Sequence, residues 1–380
     1  MRIAIFESIM TPGGHEVDFD RLIVEELVAL GHEVSFYVPQ DFVFRFDYKV
    51  PVRYLPGNTS SYAGVKGWRK ALNSLKREIN RQRCYRGLYQ AAARGEFDAA
   101  IVPTSTYRYL RALKFSALKA PPVPIIFIQH GLNPGEVDAY FREADNLAAS
   151  SNIKLAVLTF GNDVLGRSRP NVRLMYPPAY TARDLDYQPK MNKDGPLRLG
   201  FFGQYRREKN LDVFLDTYLS CRFSHPVELM VQGATVHPDD AADFERIIAK
   251  YCGAGGVSFL HKGLIGREWQ EAIAGLDALV MPYAAERYRY HWAGMLFTAI
   301  GFYRPVVASA QINPEVFALY DIGVTFPSAG APTLKDALEV FVNTFPEKAG
   351  SYEQQLTAAN AAFSPAEFVN KLIAVMDGRD

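Results

Sequence analysis

The sequence predicts an α/β protein of two doubly wound, Rossmann-like domains, each on a parallel sheet, facing one another across a cleft. Three observations carry that expectation. The chain has 380 residues, too many for one ordinary core and about right for two. Short continuous apolar runs alternate with stretches of helical periodicity along its whole length. A stretch with four prolines, Tyr176 to Pro196, interrupts the alternation half-way, and the pattern then restarts.

In the first domain, residues 1–178, Arg2 to Phe6 is a short apolar run suited to a strand buried on both faces. A glycine-containing loop follows, centred on Thr11-Pro12-Gly13-Gly14-His15. Phe19, Leu22, Ile23, Leu27 and Leu30 then recur at helical spacing, with Gly31 as the stop. Glu33 to Val38 is the next strand and completes a βαβ unit. After an irregular stretch, a long polar helix runs from about Lys66 to Arg94. Further strands are predicted at Ala99 to Val102, Pro124 to Ile128 and Leu155 to Thr159, each bordered by turn residues.

Residues 179–196 form the linker. In the second domain, residues 197–355, strands are predicted at Leu197 to Phe202, Val227 to Gln232, Val257 to Leu260, Ala278 to Met281, Val306 to Ala308 and Val324 to Phe326. Helices at Leu211 to Leu219, Asp239 to Tyr251, Arg267 to Leu276 and Ala293 to Phe302 separate them. Residues 356–380 lie within two closing helices, near Tyr352 to Ala361 and Pro365 to Met376, with a crossing back to the first domain open to them.

Composition excludes several classes. The formal net charge is +1, against a dedicated nucleic-acid binder, which carries a marked basic excess. Apolar residues at 48% supply two cores and rule out wholesale disorder. Cys84, Cys221 and Cys252 are widely spaced and form no zinc-like cluster, which points to a reducing compartment. No segment has the roughly 18 uncharged apolar residues of a membrane helix. The apolar run at residues 3–6 is too short for a secretory signal. The expectation is a soluble, cytoplasmic protein.

Ligands of such sheets bind beyond the carboxyl ends of the strands, so the informative polar residues are those just after strands. Gly203 follows the second domain's first strand and lets the backbone turn, and Arg206 and Lys209 leave the same strand end three residues apart. Two fixed cations there can neutralise a diphosphate leaving group; a charged loop in water is the plainer reading. The second segment is Met281 to Phe297. A polar aromatic loop with Glu286, Arg289, Tyr290 and His291 leads into a helix beginning near Trp292, Ala293 and Gly294, whose free N–H groups and dipole favour an anion.

With those residues in view, the chain resembles retaining nucleotide-sugar glycosyltransferases of the two-Rossmann-domain (GT-B) architecture, the glycosyltransferase group 1, family 4-like branch. In that family a Gly-x-x-Arg-x-x-Lys type of element follows the donor domain's first strand, matching Gly203, Arg206 and Lys209. A later Glu-rich Gly-Phe-Gly segment and a Gly-x-Pro-Val-Val strand entry correspond to Trp292-Ala293-Gly294 and Arg304 to Ser309. Aligned back from Pro305, the family's two glutamates fall on Tyr290 and Thr298, so ribose is gripped differently, with Glu286 standing in for the first. The resemblance implies a nucleotide-diphosphate sugar as donor, its base against Gly263, Leu264 and Ile265, and retention of anomeric configuration. It also implies that Gly13 and Gly14 approach the diphosphate and that His130, after the apolar run 125–128, faces the transferred sugar; a satisfied core histidine is the alternative. The amides at Ala293 and Gly294 assist the two cations. No cofactor and no metal are expected, since no Asp-x-Asp is present to hold one.

Lys66 to Arg86 carries eight basic residues and one acidic residue, with Trp68, Leu72, Leu75 and Ile79 on one stripe. Two expectations stand: the stripe packs on the first sheet, or it lies on an anionic membrane and brings the enzyme to a lipid-linked saccharide acceptor. Two rival functions remain open. A nucleotide-sugar epimerase needs cleft carboxylates, and few follow strands, chiefly Glu136 and Glu286; a non-catalytic partner protein fits the missing glutamates.

Overall fold

The computed structural model describes residues 1–9, 15–59, 68–160, 166, 169–183, 185, 187, 195–283, 287–327 and 331–378. The chain divides into two compact units: Met1–Thr11, Phe19–Tyr176 and Pro365–Asp380 form one, Pro12–Asp18 and Pro177–Ser364 the other.

The first unit holds seven parallel strands, β1 (Arg2–Phe6), β2 (Glu33–Pro39), β3 (Val52–Leu55), β4 (Ala99–Ser105), β5 (Ile125–Gln129), β6 (Ile153–Leu158) and β7 (Val172–Met175), in the order β3-β2-β1-β4-β5-β6-β7. Helices α1 (His15–Ala29), α2 (Trp68–Ala93), α3 (Tyr107–Leu113) and α4 (Pro134–Leu147) cross over between them. Residues 3–6 and 125–129 are buried throughout, as continuous apolar runs in a sheet covered on both faces must be. The edge strands β3 and β7 were not expected. Each is four residues long with a single exposed or half-exposed polar-to-apolar alternation, too little to stand out, and each takes its register from an inner neighbour. Between Val102 and Ser105 the β4–β5 register slips at Pro103, which has no N–H to give to the ladder.

Helix α2 packs by its carboxyl half, through Cys84, Tyr85, Leu88, Ala91 and Ala92. Its amino half behaves otherwise. Leu72, Leu75 and Ile79 are 48%, 59% and 44% exposed. The expectation that this stripe packs on the sheet is therefore overturned for those three residues.

The second unit repeats the scheme with β8 (Leu197–Phe201), β9 (Val227–Gln232), β10 (Val257–Leu260), β11 (Ala278–Met281), β12 (Val306–Ser309) and β13 (Gly323–Phe326), all parallel, in the order β10-β9-β8-β11-β12-β13. Its helices are α5 (Leu211–Ser220), α6 (Pro238–Tyr251), α7 (Arg267–Ala274), α8 (Arg287–Tyr290), α9 (Gly294–Gly301), α10 (Pro314–Leu319) and α11 (Ala331–Ala362). The last helix, α12 (Pro365–Asp377), belongs to the first unit, where Phe368 meets Phe19 with ring centroids 5.8 Å apart. Helix α9 is the central helix of the second unit, with Leu296, Phe297, Ala299 and Ile300 fully buried. Gly301 closes it because nothing larger fits: a Cβ there would lie 1.7 Å from the carbonyl oxygen of Tyr180.

Both sheets reverse their strand order beside their first strand, at β1/β4 and at β8/β11. The crevice beyond the carboxyl ends at such a reversal is where open α/β sheets bind ligands.

Candidate active site at the carboxyl edge of the second sheet

Phe201 ends β8, and Tyr283 lies two residues beyond β11. Between them sits Lys209, 5% exposed, its ammonium 4.8 Å from the Tyr283 ring centroid and 5.6 Å from that of Phe201. A positive charge is thus held at the reversal point of the sheet, with two aromatic faces offsetting part of its desolvation. The backbone that puts it there is tied down at several points. Gly203, at φ +106°, turns the chain out of β8. Its N–H donates to Oε1 of Gln232 at 2.9 Å, and its carbonyl accepts from Ala234 at 3.2 Å. Tyr205 N–H donates to the Ala234 carbonyl, and a single 3-10 turn, Arg207–Lys209, then closes on Asn210 in the left-handed region.

Arg206 is placed differently. Its side chain is 36% exposed, donates to Oε1 of Gln204 at 3.2 Å and stands 3.7 Å from Glu208. The two cations are not equivalent: one is buried, the other is at the rim beside a carboxylate.

Gly203 also touches the start of α9, where a Cβ would come within 3.4 Å of Met295 Sδ. The predicted helix start is observed at Gly294, with Ala293 as the preceding cap residue. One part of the expectation is corrected. The N–H of Ala293 is not offered to a ligand, because it donates to Oδ1 of the buried Asn313 at 2.9 Å. The N–H groups of Gly294 and Met295 fall in the first turn, where the helix supplies no acceptor. Thr298 is buried and donates to the Gly294 carbonyl at 3.0 Å, so this position of the motif serves the helix itself. Tyr290 closes the short helix α8 and is half-buried. Leu264 and Ile265 are half-buried in the loop after β10. Glu286, Gly13 and Gly14 lie outside the described residues.

In the first unit, His130 follows β5 and is half-buried. Its Nε2 lies 2.8 Å from the carbonyl oxygen of Pro103, which can only accept, so Nε2 carries the proton and Nδ1 of the neutral ring is the acceptor. Its ring packs against that of Phe19 in a T-shaped arrangement, with centroids 4.6 Å apart. The register slip at Pro103 thus presents a carbonyl that sets the histidine's tautomer. Ser105 donates to the Ile128 carbonyl and is structural.

No family model matches the sequence, and no curated relative matches it. Solved structures do. HepE of Anabaena, in complex with UDP and glucose, aligns over 100% of both chains at 14% identity with a TM-score of 0.66. Sucrose-phosphate synthase of Thermosynechococcus elongatus aligns over 100% of this chain and 98% of its own, at 15% identity and TM-score 0.68. WaaG, a glycosyltransferase involved in lipopolysaccharide biosynthesis, aligns over 99% and 100%, at 16% and 0.63. The chain has the GT-B fold.

Within that GT-B framework, Arg206, Lys209, Gly203, Met295 and Gly294 gather about one carboxyl edge, and Leu264 and Ile265 follow the outermost strand, β10, of the same sheet. Among the described residues no group of three or more His, Cys, Asp or Glu is placed to hold a metal ion. Three residues of the site were not foreseen. Tyr283 and Gln232 both stand at strand ends, where the same filter finds them, but an aromatic and a strand-terminal amide carry no charge to attract notice. Asn313, at φ 38° before Pro314, looks in sequence like an ordinary turn, yet its side chain bonds Ala293, Tyr288 and His291 and holds the loop before α9.

Proposed function

We propose that the protein is a glycosyltransferase that moves a hexose from a nucleoside diphosphate donor to an acceptor hydroxyl, with retention and without a metal ion, in cell-envelope or exopolysaccharide synthesis. The observation that carries this reading is the buried ammonium of Lys209 at the strand-order reversal of the second sheet. When the bond between the anomeric carbon and the diphosphate oxygen breaks, the electron pair stays on that oxygen. Lys209, Arg206 and the N–H groups of Gly294 and Met295 take up the charge, work a divalent cation does elsewhere. The acceptor oxygen bonds the anomeric carbon and passes its proton to the departing diphosphate oxygen, which holds the electron pair of the broken bond. Leu264 and Ile265 receive the base, Gly203 gives the phosphates room, and Tyr290, Glu286, Gly13 and Gly14 complete the donor site. His130, through Nδ1, accepts from a sugar hydroxyl. Two similarities add support: HepE has been solved with UDP-glucose, and WaaG acts in lipopolysaccharide biosynthesis.

The acceptor is proposed to be a saccharide on a lipid. Leu72, Leu75 and Ile79 stand exposed along α2 among Lys76, Arg77 and Arg83, and α2 packs on α3 and the turn after it, where Phe115 is 79% exposed. An exposed apolar stripe with a basic rim suits an anionic bilayer surface. No described helix is long and apolar enough to cross a membrane.

A non-catalytic GT-B binding protein is the second reading, favoured by Thr298 and Tyr290 in place of carboxylates. An epimerase has less support. Melting the protein with millimolar UDP, ADP or GDP separates them: stabilisation supports an enzyme, and none supports the binding protein. Release of nucleoside diphosphate from a donor only when a saccharide acceptor is present identifies the transferase; acceptor-independent turnover overturns it.

A further inference from the structure

We propose that Gln232 is a positioning residue that sets the span of the donor site and with it the preference for a nucleoside diphosphate over the mono- and triphosphate of the same base. The inference rests on the donor-site reading above, in which Lys209 meets the diphosphate and the loop at Leu264 and Ile265 meets the base. Gln232 ends β9, the strand between β8 and β10, and is 1% exposed. Its Oε1 accepts from Gly203 N–H at 2.9 Å, and its Nε2 donates to the carbonyl of Lys262 at 2.5 Å. Gly203 begins the loop that carries the two cations; Lys262 begins the loop that leads to Leu264 and Ile265. One buried amide therefore touches both ends of the donor site.

Its orientation is not interchangeable. A backbone N–H can only donate and a backbone carbonyl can only accept, so the two partners fix which end of the amide faces which loop. Further bonds hold each loop to the segment after β9. Gly203 and Ala234 are bonded on one side. On the other, Thr235 meets His261 Nε2 at 2.9 Å, and the opposite nitrogen of that ring is bonded to Glu245. Within that segment Gln232 bonds to both loops through one side chain, so the distance between them is set by the length of a glutamine. A site of fixed span discriminates by ligand length, since binding in a pre-formed geometry avoids the cost of ordering it.

Two substitutions separate span from stability. Gln232→Met keeps the length and volume and removes both hydrogen bonds. Gln232→Glu keeps the acceptor toward Gly203 but sets a carboxylate oxygen against the Lys262 carbonyl, so it releases the base loop. Affinities of the uridine and adenosine mono-, di- and triphosphates are measured by calorimetry on wild type and both variants, with the melting temperature of each. Wild type is expected to bind the diphosphate of its base at least about tenfold more tightly than the monophosphate, about 1.4 kcal/mol. Both variants are expected to bring that ratio to about threefold or less. A ratio unchanged in the variants overturns the inference, whether affinities hold or all fall together as a purely structural role requires. Should Gln232→Met not fold, Gln232→Glu alone decides between these outcomes. If wild type binds none of the six nucleotides, the donor-site reading fails first, and the inference with it.

Discussion

Replacing Lys209 by methionine tests the proposed site most directly. Lys209 is 5% exposed, so its charge acts in a medium far less polarisable than water. For a phosphate oxygen taken up at about 4 Å, an effective dielectric constant of about 20 gives an attraction of ~4 kcal/mol, against ~1 kcal/mol for a cation in bulk water. If that attraction strengthens as the leaving oxygen gains charge, turnover should fall by about 10³, in line with the loss of a fixed oxyanion donor. Methionine keeps the aliphatic stem against Phe201 and Tyr283. The melt shows that the variant is still folded at the assay temperature while turnover collapses. The assay is release of nucleoside diphosphate at saturating donor and acceptor, beside a thermal melt. Turnover within threefold of wild type would refute the assignment. Lys209→Arg should not rescue, because the ammonium lies 3.7 Å from where a Cβ on Gly203 would stand, leaving little room for a planar guanidinium.

Arg206→Ala should cost less, about tenfold in turnover, since this cation is 36% exposed and already faces Glu208; a loss equal to that of Lys209→Met would contradict the difference in placement. Gly301→Ala should destabilise by about 3 kcal/mol or more, because the new methyl meets the Tyr180 backbone, and an unchanged urea midpoint would show that the helix can shift. Glu143 is buried between Lys114 at 2.8 Å and Arg111 at 3.2 Å. Burial works to raise its pKa, but the hydrogen bonds from Lys114, Asn146 and Arg111 prevail and hold it below the usual glutamate range. Stability from such a group is present above the unfolded value of about 4.3 and is lost as pH falls through the lower folded value. Glu143→Gln should therefore be about 1 kcal/mol less stable at pH 7, with the gap narrowing once pH falls below the unfolded value of about 4.3; a gap independent of pH in urea melts would refute this. Leu75→Glu together with Ile79→Glu should abolish sedimentation with phosphatidylglycerol vesicles; equal binding of wild type to neutral phosphatidylcholine would remove the charge from the explanation.

Most of both sheets was legible, because a parallel sheet covered on both faces demands continuous apolar runs, and Ile3 to Phe6, Ile125 to Ile128 and Ala278 to Met281 supply them. What escaped was structure whose signal is not local. β3 and β7 are paired only because a neighbour presents a free edge, and α3 and α10 are brief, whereas α4 carries a clear apolar face through Tyr140, Phe141, Ala144 and Leu147 that was legible and not read. At the site, the cations and glycines were visible as charge and turn chemistry, and their distinct settings were not. That Lys209 is buried and Arg206 is not depends on Tyr283, which arrives from a strand more than seventy residues further along. The engagement of the Ala293 amide was likewise hidden, since Asn313 reaches it from beyond β12.

The return of α12 to the first unit has a practical corollary. The polypeptide leaves that unit after Tyr176 and re-enters it at Pro365, so the second unit, apart from a short N-terminal segment, is an excursion between two pieces of one core. A protein cut at residue 178 would lack Phe368, Val369 and Leu372, all buried, and would leave Phe19 with the His130 ring but without that of Phe368. Such a fragment should be sticky and poorly folded. Supplying residues 365–380 on a short tether across the gap should restore a monodisperse half-molecule.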